Sequence, residues 1–216
     1  MIKDIYRSIR FQYRRLAVER VFTKIYKNRL WQGSESASGN GSGDAATRNV
    51  RSLLPALLSD VNAQSLLDAP CGDFNWMKDA HLPIERYYGV DIVDDLIAEN
   101  QRRYGDESRS FTKLDVIRDR LPKADLILCR HLLIHLPFRD CFRTLANFRR
   151  SGARHLLITN QVDVVENTEI LFTGSFRPLN LLLPPFNFPG PIMTIPDDHP
   201  ETNLSLFNMT TLDSLP

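Results

Sequence analysis

The middle of the chain alternates short apolar runs with segments of helical periodicity, and this constrains its fold more than any other feature. Residues 65–69, 86–92, 111–116, 124–129 and 155–159 read as strands. Helical patterns follow from Asn75, over 94–103 and around 138–150. Short strands that are apolar throughout are buried on both faces, and spacings of roughly 20–30 residues fit right-handed crossover units. The expectation is a doubly wound, mostly parallel, Rossmann-like α/β sheet with helices on both faces. Such a sheet holds its ligand beyond the carboxyl ends of the strands.

Three of these strand ends carry an aspartate: Asp68, Asp91 and Asp115. A dinucleotide site would place several glycines in the first turn, so that the backbone can approach a pyrophosphate. Here the turn is Asp68-Ala-Pro-Cys-Gly-Asp-Phe74, with Gly72 its only glycine and two carboxylates. Carboxylates facing a pyrophosphate repel it by on the order of 1–4 kcal/mol per pair, whereas a ligand bearing an ammonium and a sulfonium gains. The turn therefore favours S-adenosylmethionine over NAD, FAD or ATP. Asp91 suits a ribose diol, accepting two hydrogen bonds, and Asp115 is placed to meet an adenine amino group. Each aspartate alone is equally well a strand or helix cap; their shared placement on one sheet edge carries the reading.

The segments Leu66–Phe74, Tyr88–Ile92, Leu114–Val116 and Asp125–Pro137 resemble the successive motifs of class I S-adenosylmethionine-dependent methyltransferases, over residues 65–160. Pro70 and Phe74 stand where that family commonly has glycines. Within the class, residues 31–42, the Pro-Cys-Gly-Asp turn and residues 172–180 resemble a group of bacterial methyltransferase-domain proteins associated with surface-polysaccharide gene sets. The resemblance implies that Asp68, Pro70 and Gly72 line the methionine half of the cofactor. It implies Asp91 and Ile92 at the ribose, Asp115 and Val116 at the adenine, and Arg130 towards the sulfonium. A lid contributes Trp31, Ser38 and Gly39.

Methyl transfer to oxygen or nitrogen calls for alignment and sometimes a base. His131 and His135, just past the fourth strand, are the catalytic candidates, though either ring equally suits a structural hydrogen bond. Glu35, Asn160 and Arg177 are candidate substrate contacts. Their bland alternatives are a solvated loop carboxylate, local backbone bonding and an ordinary ion pair. The cluster Asp197-Asp198-His199 lacks a second paired motif, so no metal site is expected.

The flanks read differently. Residues 1–30 hold nine Lys/Arg against two Asp/Glu, while the remaining chain holds eighteen against twenty-four. This is a basic amphipathic helix, which either contacts an anionic membrane or partner or packs on its own domain with its charges in water. Residues 31–60 comprise a Gly/Ser-rich lid loop and a helix with Thr47 as candidate N-cap and Pro55 as a kink or start. Residues 61–216 form the cofactor-binding domain, with a Pro-rich insertion over 177–200 read as substrate-side. Late strands are expected over 179–183 and 204–207.

Three cysteines without a C-x-x-C pair argue against a disulfide framework. No signal peptide or membrane span is read, so the expected location is cytoplasmic, with peripheral membrane contact through residues 1–30. Basic charge confined to one helix, and no Asn-Pro-Pro-Tyr-like tetrapeptide after the fourth strand, disfavour a nucleic-acid substrate. The expected acceptor is a small molecule or glycan-related hydroxyl. The competing reading is a non-catalytic binding or scaffold protein of methyltransferase fold, tethered by its basic helix.

Overall fold

The computed structural model describes residues 16–31, 35–198 and 202–212. Its strands are β1 (Ser65–Asp68), β2 (Arg86–Asp91), β3 (Arg109–Lys113), β4 (Leu126–Cys129), β5 (His155–Asn160), β6 (Met193–Pro196) and β7 (Asn203–Asn208). They form one sheet in the order β3-β2-β1-β4-β5-β7-β6. The first five strands are parallel, and β7 runs antiparallel to both β5 and β6. The chain winds outward from β1 to β3 and then returns past β1 to β4. The crevice at this reversal is where such a sheet receives a ligand.

Alternate side chains of the central strands enter two cores. Leu67, Ile127, Leu156 and Ile158 join one face, and Leu66, Leu126, Leu128 and Leu157 the other. Burial on both faces explains why these strands are apolar throughout. Helix α4 (Phe138–Ser151) covers the first face with Leu145 and Phe148. Helices α2 (Asp44–Asp60) and α3 (Asp94–Tyr104) cover the second with Val50, Leu54, Leu57, Leu96 and Ile97. Each fully buried Leu or Phe contributes roughly 1.5–3 kcal/mol. Residues 16–27 form helix α1; residues 1–15 of the expected N-terminal helix lie outside the described residues.

Several expectations need correction. No α-helix follows β1; Met77–Asp79 make a single 3-10 turn. Strand β3 ends at Lys113, so Asp115 lies two residues beyond it. Thr47 is not the N-cap of α2. It sits inside the helix, its hydroxyl donating to Gly43 O at 2.9 Å. Pro55 does not start α2, which runs through it with Leu54, Leu57 and Leu58 buried. Residues 179–183 are not a strand, because side-chain amides take their backbone donors: Gln161 Oε1 accepts from Leu179 N, Asn167 Oδ1 from Asn180 N, and Asn160 Oδ1 from Leu181 N. Within the Pro-rich insertion, Leu179, Leu181, Phe186 and Phe188 pack into the core on the α4 face, Ile195 joins the opposite core and Asp197 bonds Arg130. Phe186 stacks on Phe142 and Phe188 meets Phe207 edge-on.

Candidate active site

A cavity of about 260 Å³ opens at the carboxyl ends of β1, β2 and β4. Its floor is the turn after β1. Cys71 N donates to Val90 O, Gly72 N to the Asp91 carboxylate at 3.3 Å, and Asn100 Nδ2 to Gly72 O. Gly72 has φ +54°, and a Cβ there would come within 2.4 Å of Ser38 Oγ. Only glycine fits both the backbone angle and the close approach of the lid. Phe74, in a position where glycine is common, keeps a left-handed φ of 58°. Its ring compensates by burying edge-on between Tyr87 and Phe111, with centroids 5.2 and 5.0 Å away.

Asp68 and Asp91 line this floor, both buried. Burial raises Asp68 to about 7, against the opposing hydrogen bond that Tyr87 Oη donates to it at 2.6 Å. Burial likewise raises Asp91 to about 6, although Val93 N and Gly72 N donate to its two oxygens. Asp115 also lines the cavity, but Arg118 Nη1 at 2.6 Å and Ile117 N at 3.0 Å already engage its carboxylate. Ile92, Leu114 and Val116 add an apolar wall, and Pro70 lines the same floor.

Residues 35–43 fold over the cavity. Asp73 anchors them: Ala37 N donates to Asp73 Oδ2 at 2.7 Å, and the Ser36 and Ser38 hydroxyls bond the same carboxylate. This corrects the sequence argument, in which both turn carboxylates face the ligand. Asp73 faces Ser36, Ala37 and Ser38, about 35 residues earlier in the chain, a separation at which sequence shows no contact. Trp31, Ser38 and Gly39 line the cavity, with Trp31 stacked on His135 at 4.4 Å. Val18, Phe22, Ile25 and Tyr26 of α1 complete the roof. Their i, i+4, i+7, i+8 spacing is legible in the sequence as one helix face, though not as a wall of this site.

On the β4 side, Arg130 lines the cavity and forms a bidentate pair with Asp197 at 2.7 and 2.8 Å, both side chains buried. His131 lines it with φ 56°, its Nε2 3.8 Å from Asp197. His135 also lines it, and its Nδ1 lies 3.0 Å from Ser175 O. A carbonyl only accepts, so Nδ1 carries the proton and Nε2 is left as the ring's acceptor. Burial lowers His135 to about 4, leaving the ring neutral at pH 7.

The three candidate substrate residues do not line the cavity. Glu35 accepts from Asp44 N at 2.7 Å and caps α2. Asn160 is fully buried, bonded to Ser205 Oγ and Leu181 N. Arg177 is buried over the Phe138 ring, donating to Leu133 O and Leu136 O. All three satisfy the protein's own polar groups. Gln161, beside Asn160, does line the cavity, as does Phe176. Of the Asp-Asp-His cluster, Asp197 pairs with Arg130 and Asp198 accepts from Asn49 N; His199 lies outside the described residues.

No family model and no curated protein matches the chain. Solved structures do. Human N-acetylserotonin methyltransferase, in complex with S-adenosylmethionine, superposes with a TM-score of 0.63 at 17% identity over 87% of this chain, which spans 58% of that enzyme's length. The methyltransferase domain of bacterial CtHen1 gives 0.54 at 16% identity over 76% of this chain and 99% of that one. The N-methyltransferase NodS of Bradyrhizobium japonicum, with S-adenosylhomocysteine, gives 0.53 at 16% identity over 64% and 72%. By these superpositions the chain, with its mostly parallel seven-stranded sheet, has the class I methyltransferase fold.

Proposed function

We propose that the chain is an S-adenosylmethionine-dependent methyltransferase acting on a small-molecule or glycan-related hydroxyl. One observation carries the proposal: a single roofed cavity at the switch point gathers Asp68, Asp91 and Asp115, and its one guanidinium among the described residues, Arg130, is already neutralised by Asp197. That donor set fits a cationic ligand with a diol. It does not fit a pyrophosphate, since the N–H of the turn's only glycine bonds Asp91 rather than facing outward.

In this reading Asp68, beside Pro70 and Gly72, balances the ammonium of the methionine half. Asp91 takes the ribose diol, and Ile92, Leu114 and Val116 clasp the adenine with Asp115 at its rim. Trp31, Ser38 and Gly39 close over the ligand and exclude water. When bound, S-adenosylmethionine supplies an electrophilic methyl group. Arg130, His131 and His135 border the opposite wall, where an acceptor would enter. His135 Nε2 orients an acceptor hydroxyl by accepting its hydrogen bond. His131 takes up the departing proton, its Nε2 lying 3.8 Å from the Arg130-bound carboxylate of Asp197.

Titration calorimetry with S-adenosylmethionine and S-adenosylhomocysteine, with NADH as the control, tests the core of the proposal. Binding of the sulfur ligands alone is expected, and binding of neither overturns it. Transfer of labelled methyl into nucleotide sugars and lipids of a bacterial extract then identifies the acceptor.

A further inference from the structure

The connection after β5 carries an uncharged hexapeptide, residues 171–176 (Leu-Phe-Thr-Gly-Ser-Phe), at the cavity mouth. Leu171 is 81% exposed, Phe172 74% and Phe176 59%. Phe176 lines the cavity and lies against His135, but Leu171 and Phe172 do not line it, so a ligand inside the cavity does not account for them. The loop is also braced. Gly174 N donates to His135 O at 2.9 Å, Ser175 N to Phe172 O, and Arg177 N to Ile134 O. Gly174 has φ +88°, and a Cβ there would come within 2.8 Å of Val21 and 3.0 Å of Ile25, so the tip is pressed against α1. Two large apolar side chains are therefore held in water beside α1 on a hydrogen-bonded backbone. That is the signature of a contact surface.

The charge beside the tip says what covers it. Arg20 and Lys24 of α1 are exposed and neighbour the turn of helix that meets Gly174. Glu19 is paired with Lys113, and Lys27 with Asp95. Glu169, just before the tip, accepts from Phe138 N; Asp163 and Glu166 lie further upstream, outside the uncharged run. The first thirty residues carry nine Lys/Arg against two acids. A second copy of the chain meeting this patch about a two-fold axis would bring two basic helices together, which disfavours self-association.

We infer that the Leu171–Phe172 tip and the basic face of α1 together dock on an anionic lipid bilayer. Apolar side chains enter the interface while Lys and Arg meet the headgroups, two signals acting together where either alone is weak. The cavity mouth, bordered by Phe176, then opens at the membrane surface, so an acceptor with a lipid tail reaches it without crossing water. The docking itself does not depend on the methyl-donor reading, and calorimetry with S-adenosylmethionine keeps the two separable.

Flotation of the full chain with phosphatidylcholine vesicles, with and without phosphatidylglycerol, is the test. Binding is expected only to the anionic vesicles, weakening as salt rises. The double variant Leu171→Glu/Phe172→Glu should lose on the order of tenfold or more of that binding, and Arg20→Glu/Lys24→Glu should lose a comparable share. Both pairs are exposed, and unchanged melting temperatures would confirm that folding is intact. No binding to anionic vesicles, or equal binding by the folded tip variant, overturns the inference. So does a concentration-dependent dimer that the tip variant abolishes.

Discussion

The two sides of the crevice treat buried charge in opposite ways. On the β1–β2 side, Asp68 and Asp91 are buried with no guanidinium or ammonium bonded to either among the described residues, and burial pushes both above the usual carboxylate range. On the β4–β5 side, Arg130 is locked to Asp197, and Arg177 is bonded to two carbonyls and an aromatic face. A buried carboxylate left without its counter-charge is costly to maintain, so its presence points to a ligand that supplies one. A buried arginine bonded to the protein's own carbonyls or carboxylate holds the scaffold. Charged side chains buried to a similar degree thus serve different ends, and their partners distinguish them.

The contrast can be broken on its acidic side first. Asp91→Ala removes the acceptor proposed for the ribose and leaves Gly72 N and Val93 N unpaired. S-adenosylmethionine affinity should fall about 100-fold or more, equivalent to roughly 3 kcal/mol. Unchanged affinity by calorimetry would place the ribose elsewhere. On the basic side, Arg177→Ala should lower stability by about 2–4 kcal/mol, because the carbonyls of Leu133 and Leu136 lose a charged donor and the core loses the side chain packed on Phe138. Denaturant unfolding reads that loss. Affinity per folded molecule should stay near wild type, and a selective loss of substrate turnover instead would restore Arg177 as an acceptor contact.

The sequence made one side of this contrast readable and concealed the other. Asp68 and Asp91 end strands whose neighbours are apolar, so their position follows from periodicity alone. Asp115 reads as a strand end because Leu114 and Val116 extend an apolar run; those side chains are apolar as cavity wall, not as strand. Arg177, a lone charge among Phe, Pro and Leu, gives the same pattern whether it clamps a ligand or fills a core. Its carbonyl partners lie some 40 residues away and belong to a 3-10 turn that has no sequence signature. Asp73 was hidden for the same reason. Its partners are serines in a Gly/Ser stretch that composition alone reads as a linker.

The acidic side should also respond to pH. A cation binds the ionised form of Asp68, which in the free protein predominates only above about 7. Affinity for S-adenosylmethionine should therefore fall towards tenfold per pH unit on acidification below 7, with Asp91 adding to the loss below about 6. Stability of the ligand-free protein runs the other way. Both carboxyls bind protons more tightly folded than unfolded, so their contribution is complete below about 4 and is lost as pH rises towards 7. The ligand-induced rise in melting temperature should accordingly grow between pH 5.5 and 8. A rise independent of pH would mean that Asp68 does not meet the ammonium and that Asp91 does not hold the diol as a carboxylate.

The smallest change sharpens the contrast most. Tyr87→Phe deletes one hydroxyl, the donor 2.6 Å from Asp68 Oδ2, and leaves the ring packed against Phe74 and Phe111. That hydrogen bond favours the ionised carboxylate, alongside the more distant Arg130 and against Asp91. Without it, the midpoint of the pH–affinity curve for S-adenosylmethionine should move upward by about half a unit to one unit, for a hydrogen bond to a charged group worth on the order of 1 kcal/mol. 5′-Methylthioadenosine has no ammonium, so its affinity should be the same in both proteins at every pH. If the variant weakens both ligands equally, Tyr87 merely shapes the floor of the cavity. If it shifts only the ammonium-bearing ligand, Asp68 is the group that the cation neutralises, and Tyr87 is what keeps its charge ready.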